Sequence, residues 1–255
     1  MSLCQVSDHI WYLEPDHRSD RPVLGYVRGR KLSFAVDAGA SAAHVALFYN
    51  ELNTHCLPLP NLTGISHYHW DHSYGAAYVS GLTLGSDKCN EMLKRESVFV
   101  WTKQAMQKRV ENHQDIKFGY CSKLIEYPCL SDIKVIPPDI VLSGNIAIDL
   151  GGITMEVLYC GGPHSDDHLI FFVPEEQLLF LSDASGKELF SLEWEYDEMH
   201  PELLQNSISQ LPYNREKLRP FVALLESLSF SNCILGHAEQ VITRDELLSD
   251  LKLHI

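Results

Sequence analysis

Residues 64–76 read GISHYHWDHSYGA and place His67, His69, Asp71 and His72 within six consecutive positions. Imidazole nitrogens and carboxylate oxygens are the ligands that zinc takes, and a catalytic zinc keeps one coordination position for water. Alternate residues of an extended backbone point to one side, so His67 and His69 share a direction, while Asp71 and His72 lie beyond them as the chain turns towards a helix. One ion does not hold all four comfortably. The spacing therefore predicts two neighbouring metals, His67 with His69 on the first and Asp71 with His72 on the second, each needing further ligands.

Three later positions can complete the set: His164 in YCGGPHSDDH, Asp183 in LFLSDAS and His237 in ILGHAE. Each follows a predicted strand, and loops leaving one edge of a sheet are where a rigid scaffold usually carries such residues. A lone buried histidine is ordinarily a core residue. A dense cluster followed by three strand-end partners in order points instead to a shared centre.

The elements that must position these residues alternate short apolar runs with longer amphipathic stretches, a mixed α and β pattern. Residues 23–39 form a hairpin turning at Gly29, and 41–53 a helix capped by Ser41. The His-rich segment falls between apolar stretches at 62–65 and 82–84, on a strand-to-helix turn. Residues 86–127 read mostly as helix, closed by Pro137 and Pro138, with strands resuming near Ile140. Hairpins follow at 146–159, turning at Gly151 and Gly152, and at 169–184, turning at 174–177. The C-terminal part reads as helix (about 214–229), strand (232–237) and a helix opened by a capping box, Thr243 with Glu246. Val27, Leu32, Phe34, Asp37 and Ala38 recur as Val173, Leu178, Phe180, Asp183 and Ala184, which suggests two related halves.

Composition bounds the rest. The 255 residues, 45% apolar and 21% charged, suit one soluble globular domain spanning 1–255, with a helical insert at about 86–138. A formal charge of -14 disfavours nucleic acid and acidic membrane surfaces as partners. A small-molecule substrate is the expectation that remains. Seven scattered cysteines without a C-x-x-C pair favour free thiols, and with no signal-like or membrane-spanning stretch the expected location is cytoplasmic. The acidic run at 188–202 reads as a solvated surface.

The run His67-Tyr68-His69-Trp70-Asp71-His72 resembles the H-x-H-x-D-H signature of the metallo-β-lactamase superfamily. The later motifs match in order: a Gly-rich loop with His164, a strand ending in Asp183, and Gly236-His237. Asp37 resembles the family's early strand-end Asp-x-Gly. The resemblance implies an α+β fold, a four-layer αββα sandwich with two zinc ions at one edge of the sheets, iron or manganese being alternatives. It assigns His67, His69 and His164 to the first metal and Asp71, His72 and His237 to the second, with Asp183 bridging.

Two such cations, about 3.5–4 Å apart, make hydroxide available at neutral pH, and Asp71 is then placed to relay a proton. Departures from the pattern narrow the family. The chain ends soon after His237, where glyoxalase II enzymes continue into a glutathione-binding domain. It has only about fifty residues between Asp183 and His237, where the nucleases insert a large domain, and it carries His69 where flavodiiron proteins have Glu. A hydrolase of small-molecule ester, thioester, lactone or similar bonds is the expectation. Two rival readings stay open, a mononuclear iron persulfide dioxygenase and a non-catalytic metal-binding domain. The insert is expected to supply specificity, with Phe99, Trp101, Phe118, Tyr120 and Tyr127 as its candidate lining.

Overall fold

The computed structural model describes residues 1–189, 208 and 210–255. Most of the acidic run at 188–202 lies outside the described residues. One sheet runs in the order of the sequence, β1 (Leu3–Gln5), β2 (Ile10–Leu13), β3 (Leu24–Arg28), β4 (Ser33–Val36), β5 (Leu62–Gly64), β6 (Leu82–Ser86) and β7 (Ile140–Leu142). The other contains β8 (Ile146–Asp149), β9 (Thr154–Tyr159), β10 (Leu169–Val173), β11 (Leu178–Ser182), β12 (Asn232–Leu235) and β13 (Ile242–Thr243), neighbours in that order.

The two sheets face each other because their central strands are apolar on both sides. Leu169, Phe171 and Val173 of β10 and Leu178 and Phe180 of β11 point into a shared core with Val27, Phe34 and Val36 of the first sheet. The intervening Ile170, Phe172, Leu179 and Leu181 point outward and are covered by α6 (Arg215–Ser227) and α7 (Arg244–Lys252) through Leu218, Phe221, Leu225, Leu247 and Leu251. Period-two alternation in a doubly buried strand requires this arrangement. On the far side, α1 (Ala42–Thr54) lays Phe48 and Leu52 against Leu24 and Tyr26. The layers are helix, sheet, sheet, helix, as the resemblance implied. Gly64 ends β5 where a Cβ would stand 2.3 Å from the Phe171 ring, so this strand end reaches the core only as glycine.

The hairpin turns and helix caps fall where the sequence puts them, including Ser41 accepting from the His44 amide and the Thr243–Glu246 capping box. The long helical stretch resolves into three helices, α3 (Asp87–Glu96), α4 (Lys103–Glu111) and α5 (Lys117–Glu126). Thr102 restarts the chain by capping Ala105 after the β-branched Val98 and Val100. The internal echo has a topological counterpart. The β3–β4 hairpin pairs in parallel with β5, and the β10–β11 hairpin pairs in parallel with β12. No disulfide joins the seven cysteines, all of which lie among the described residues. No helix among the described residues is long and apolar enough to cross a membrane.

Candidate metal centre

The chain leaves β5 at Gly64 and enters α2 (Trp70–Ser73), a single turn, at Trp70. The five residues between, which hold His67 and His69, are pinned on every side. The Ser66 amide donates to Asp37 Oδ1 (2.8 Å), the Tyr68 amide to Asp167 Oδ2 (2.7 Å), and the Leu169 amide to the Ser66 carbonyl (2.7 Å). Ser73 Oγ donates to the carbonyls of Tyr68 and His69, both at 2.8 Å. A loop so constrained presents its side chains in one geometry.

His67 Nε2 and His69 Nδ1 lie 2.9 Å apart, and His164 Nε2 lies 3.0 Å from the same His69 nitrogen. Beside them a second group gathers. Asp71 Oδ2 is 3.0 Å from His72 Nε2 and 3.2 Å from His237 Nε2, while Asp183 Oδ2 is 3.3 and 3.4 Å from those nitrogens. Asp183 also reaches to 3.7 Å from His164 Nε2, between the groups. The structure thus brings together all seven residues that the sequence singled out, as two clusters of His67, His69, His164 and of Asp71, His72, Asp183, His237.

The positions depend on local chain geometry. β11 ends at Ser182 with φ 48°, which turns Asp183 inward. β12 stops at Leu235, two residues short of the strand expected, which leaves Gly236 and His237 in the loop at the rim. A Cβ on Gly236 would meet Asp183 Oδ1 at 2.0 Å, so only glycine allows this approach.

The far nitrogens of the rings are held as well. Asp37 Oδ2 is 2.8 Å from His72 Nδ1, the Lys187 carbonyl is 2.8 Å from His164 Nδ1, and Ser66 Oγ is 3.0 Å from His67 Nδ1. Ser182 Oγ donates to Asp37 Oδ2 (2.8 Å), and Asp20 Oδ1 lies 3.7 Å from His237 Nδ1. Such partners fix the tautomer and orientation of a ligating imidazole.

Electrostatics differ between the clusters. Burial, reinforced by the surrounding imidazoles, holds His67 and His69 well below the ordinary histidine range, so both are neutral with lone pairs available. Burial also opposes the charging of His72 and His237. The carboxylates outweigh it, Asp71 and Asp183 beside His72 and Asp183 foremost beside His237, and lift both rings well above that range. The imidazoles in turn overcome burial at Asp71 and Asp183 and hold both carboxyls low. His72 Nε2 is buried, lies close to two carboxylates, and still makes no hydrogen bond. Converging imidazole nitrogens, one of them buried without a hydrogen-bond partner, fit a metal pair better than any internal hydrogen-bond scheme.

Several neighbours were not singled out from the sequence. His168 stacks on His67 at 4.4 Å with ring planes 17° apart, and its Nδ1 donates to the Leu169 carbonyl (2.9 Å). Asp20, Ser66, Asp167 and Ser182 act by holding the ligands or their loop. The second acid and second histidine of HSDDH, residues 164–168, were the available signal for Asp167 and His168.

The clusters open into a cavity of about 400 Å³. Of the five aromatic residues proposed for its wall, Phe99, Trp101 and Phe118 line it, joined by Tyr68 and Trp70. Tyr120 is not on the wall, and Tyr127 packs in the core with its hydroxyl donating to the Ala40 carbonyl (2.6 Å), because α5 turns that face towards the first sheet.

Among solved structures, a metallo-beta-lactamase family protein from Thermus thermophilus superposes with a TM-score of 0.65 at 18% identity, covering 98% of this chain and 80% of that one. A metallo-beta-lactamase from Pontibacter korlensis gives 0.63 at 14% identity, over 99% and 97%. The inverting sec-alkylsulfatase Pisa1 from Pseudomonas sp. gives 0.65 at 13%, over 98% of this chain but 41% of its own. At these identities the likeness is one of fold. No curated protein sequence matches the chain. The sequence pattern of the metallo-beta-lactamase superfamily matches residues 65–215, more than half of the 255, and this chain belongs to that superfamily.

Proposed function

We propose that this protein is a dinuclear zinc hydrolase of a small-molecule ester, thioester, lactone or similar bond. The observation that carries the reading is the convergence of two complete ligand clusters, one of three imidazoles and one of two imidazoles and two carboxylates, on the floor of one open cavity. His67, His69 and His164 would hold one ion and Asp71, His72 and His237 the other, with Asp183 between them. Zinc bound there supplies an activated water and a Lewis acid.

The protein's own residues supply the rest. Asp37, Ser66, Asp20 and the Lys187 carbonyl orient the rings. Asp71, which lines the cavity beside His72 and His237, would accept a proton from the attacking water and pass it to the leaving group. Tyr68, Trp70, Phe99 and Trp101 keep bulk water from the apolar part of a bound substrate. We also infer a cytoplasmic location, which the lack of a disulfide among the described cysteines supports.

Metal analysis of the purified protein, paired with a panel of esters, thioesters, lactones and phosphodiesters, tests the reading. About two zinc ions per chain with turnover of an acyl substrate is the expected result. One iron with oxygen consumption, or metal without turnover, overturns it.

A further inference from the structure

Beyond the metal clusters, the cavity wall is built from α4, α5 and the segment before them, and it holds a cation that none of the described carboxylates pairs. Arg109 is only 7% exposed and sits on that wall. Its Cζ lies 4.6 Å from the centre of the Phe99 ring and 4.7 Å from that of Trp101, and Nη1 donates to the Val100 carbonyl (3.1 Å). Nη2 is buried with no hydrogen-bond partner.

The other ionisable groups on this wall are already engaged. Lys123 Nζ pairs with Asp115 Oδ2 (2.9 Å), and Tyr74 Oη donates to Glu96 Oε2 (2.9 Å). Burial, reinforced by Asp115 and opposed by Lys123, that hydroxyl and, last, Arg109 itself, pushes Glu96 up to about 7, so near neutrality it gives Arg109 only part of a negative charge. Among the described residues no carboxylate forms an ion pair with the Arg109 guanidinium. A buried charged donor left unpaired is costly, and its persistence in a cavity wall is explained by a ligand that completes it.

We propose that the substrate is anionic, a small carboxylate-bearing ester or thioester, and that Arg109 receives its carboxylate while the scissile bond lies over the metal clusters. The proposal rests on the hydrolase reading above. The guanidinium suits the task because its planar set of donors matches a carboxylate, and two aromatic rings hold it in place before the ligand arrives. The chain as a whole, at -14, repels anions at long range, so selection for one has to come from a local cation of this kind. Hydrolysis then adds one water across the acyl bond and releases a dicarboxylate and the alcohol or thiol.

The test compares 4-nitrophenyl half-esters of dicarboxylic acids of increasing length with neutral alkanoate esters of equal length, using zinc-loaded protein. At the length that spans wall to metals, kcat/KM for the half-ester should exceed that of its neutral partner by about tenfold. Arg109→Met should bring the ratio to about one through the KM of the half-ester, and Arg109→Lys should keep part of the preference. A half-ester preference absent at every length, or undiminished in Arg109→Met, overturns the proposal. If Arg109→Met does not fold, Phe99→Ala, which removes one face of the clamp, should reduce the ratio in the same way, and an unchanged ratio overturns the proposal.

If neither ester class is hydrolysed, the hydrolase reading fails on its own. Binding then decides the inference. Monomethyl esters of the same diacids should quench tryptophan fluorescence in the wild type, through Trp101, and at least tenfold more weakly in Arg109→Met. Equal quenching in both, or none in either, overturns it.

Discussion

The cavity has two faces built on opposite plans. On the metal face His67, His72, His164 and His237 are each fixed at both ends, by the shared centre and by a partner near the far nitrogen, as with His72 between Asp183 and Asp37. On the insert face the cationic side chains lie against rings, Arg109 beside Phe99 and Trp101 and Lys123 over Trp70 at 5.6 Å, and of the two Lys123 pairs locally, with Asp115. The first plan leaves no freedom to change one residue alone. The second tolerates change, because ring faces and local pairs do not depend on one another. Substitutions on the two faces should therefore fail differently.

Removing the metals tests the metal face hardest. Chelation should abolish turnover and lower Tm, with zinc restoring both, because ions that bind only the folded state stabilise it by mass action. Asp183→Ala should lower turnover by at least about a thousandfold, since it removes the carboxylate nearest both clusters, and the zinc content should fall below two. An Asp183→Ala protein with full zinc and ordinary turnover would contradict the whole centre.

Gly236→Ala places a methyl group 2.0 Å from Asp183 Oδ1, so zinc occupancy of the Asp71–His72–His237 cluster should drop while the His67–His69–His164 cluster keeps its ion. Metal analysis reads this directly. Asp37→Asn leaves every ligand in place but loses the carboxylate charge behind His72, and it should weaken zinc binding by about 10- to 100-fold in a competition assay.

The smallest effect belongs to the insert face. Glu96 keeps its proton in the folded protein up to about pH 7, whereas in the unfolded chain it loses it near about 4.3. Between these values the folded state binds more protons, so stability falls as pH rises and levels off above about 7. Glu96→Gln should flatten that slope, a change on the order of 1 kcal/mol after allowance for the carboxyl's partial exposure, without altering zinc content. A loss of zinc in this variant would show that the two faces are coupled after all.

Part of this was legible from the chain alone. Hairpins, caps and the ligand cluster are local: alternation in 169–182, Ser41 before a helix, and His67 to His72 within six positions are each set by residues near one another. The two hairpins that echo each other in sequence send Asp37 and Asp183 to opposite nitrogens of one ring, His72. Their pairing was visible as a pattern, and its purpose was not.

Other features could not be read from the chain. Tyr120 and Tyr127 look like Phe118 in the sequence, yet a helix presents successive residues to different faces, and only the packing of α5 decided that Phe118 meets the cavity. Asp20, with φ 61°, and Asp167 meet ligands or their loop across long stretches of chain. The Arg109 corner likewise exists only because α4 folds back over Phe99 and Trp101.

The sequence by itself determined which side chains could ligate a metal, since their identity and spacing are covalent facts, and the mixture of strands and helices, since periodicity dictates which faces are buried. The four-layer fold class followed from the resemblance its motifs carry. The tertiary structure alone decided which groups orient the ligands and what the insert wall presents. Those contacts join residues far apart in the chain, and they form only when the two sheets have closed on each other.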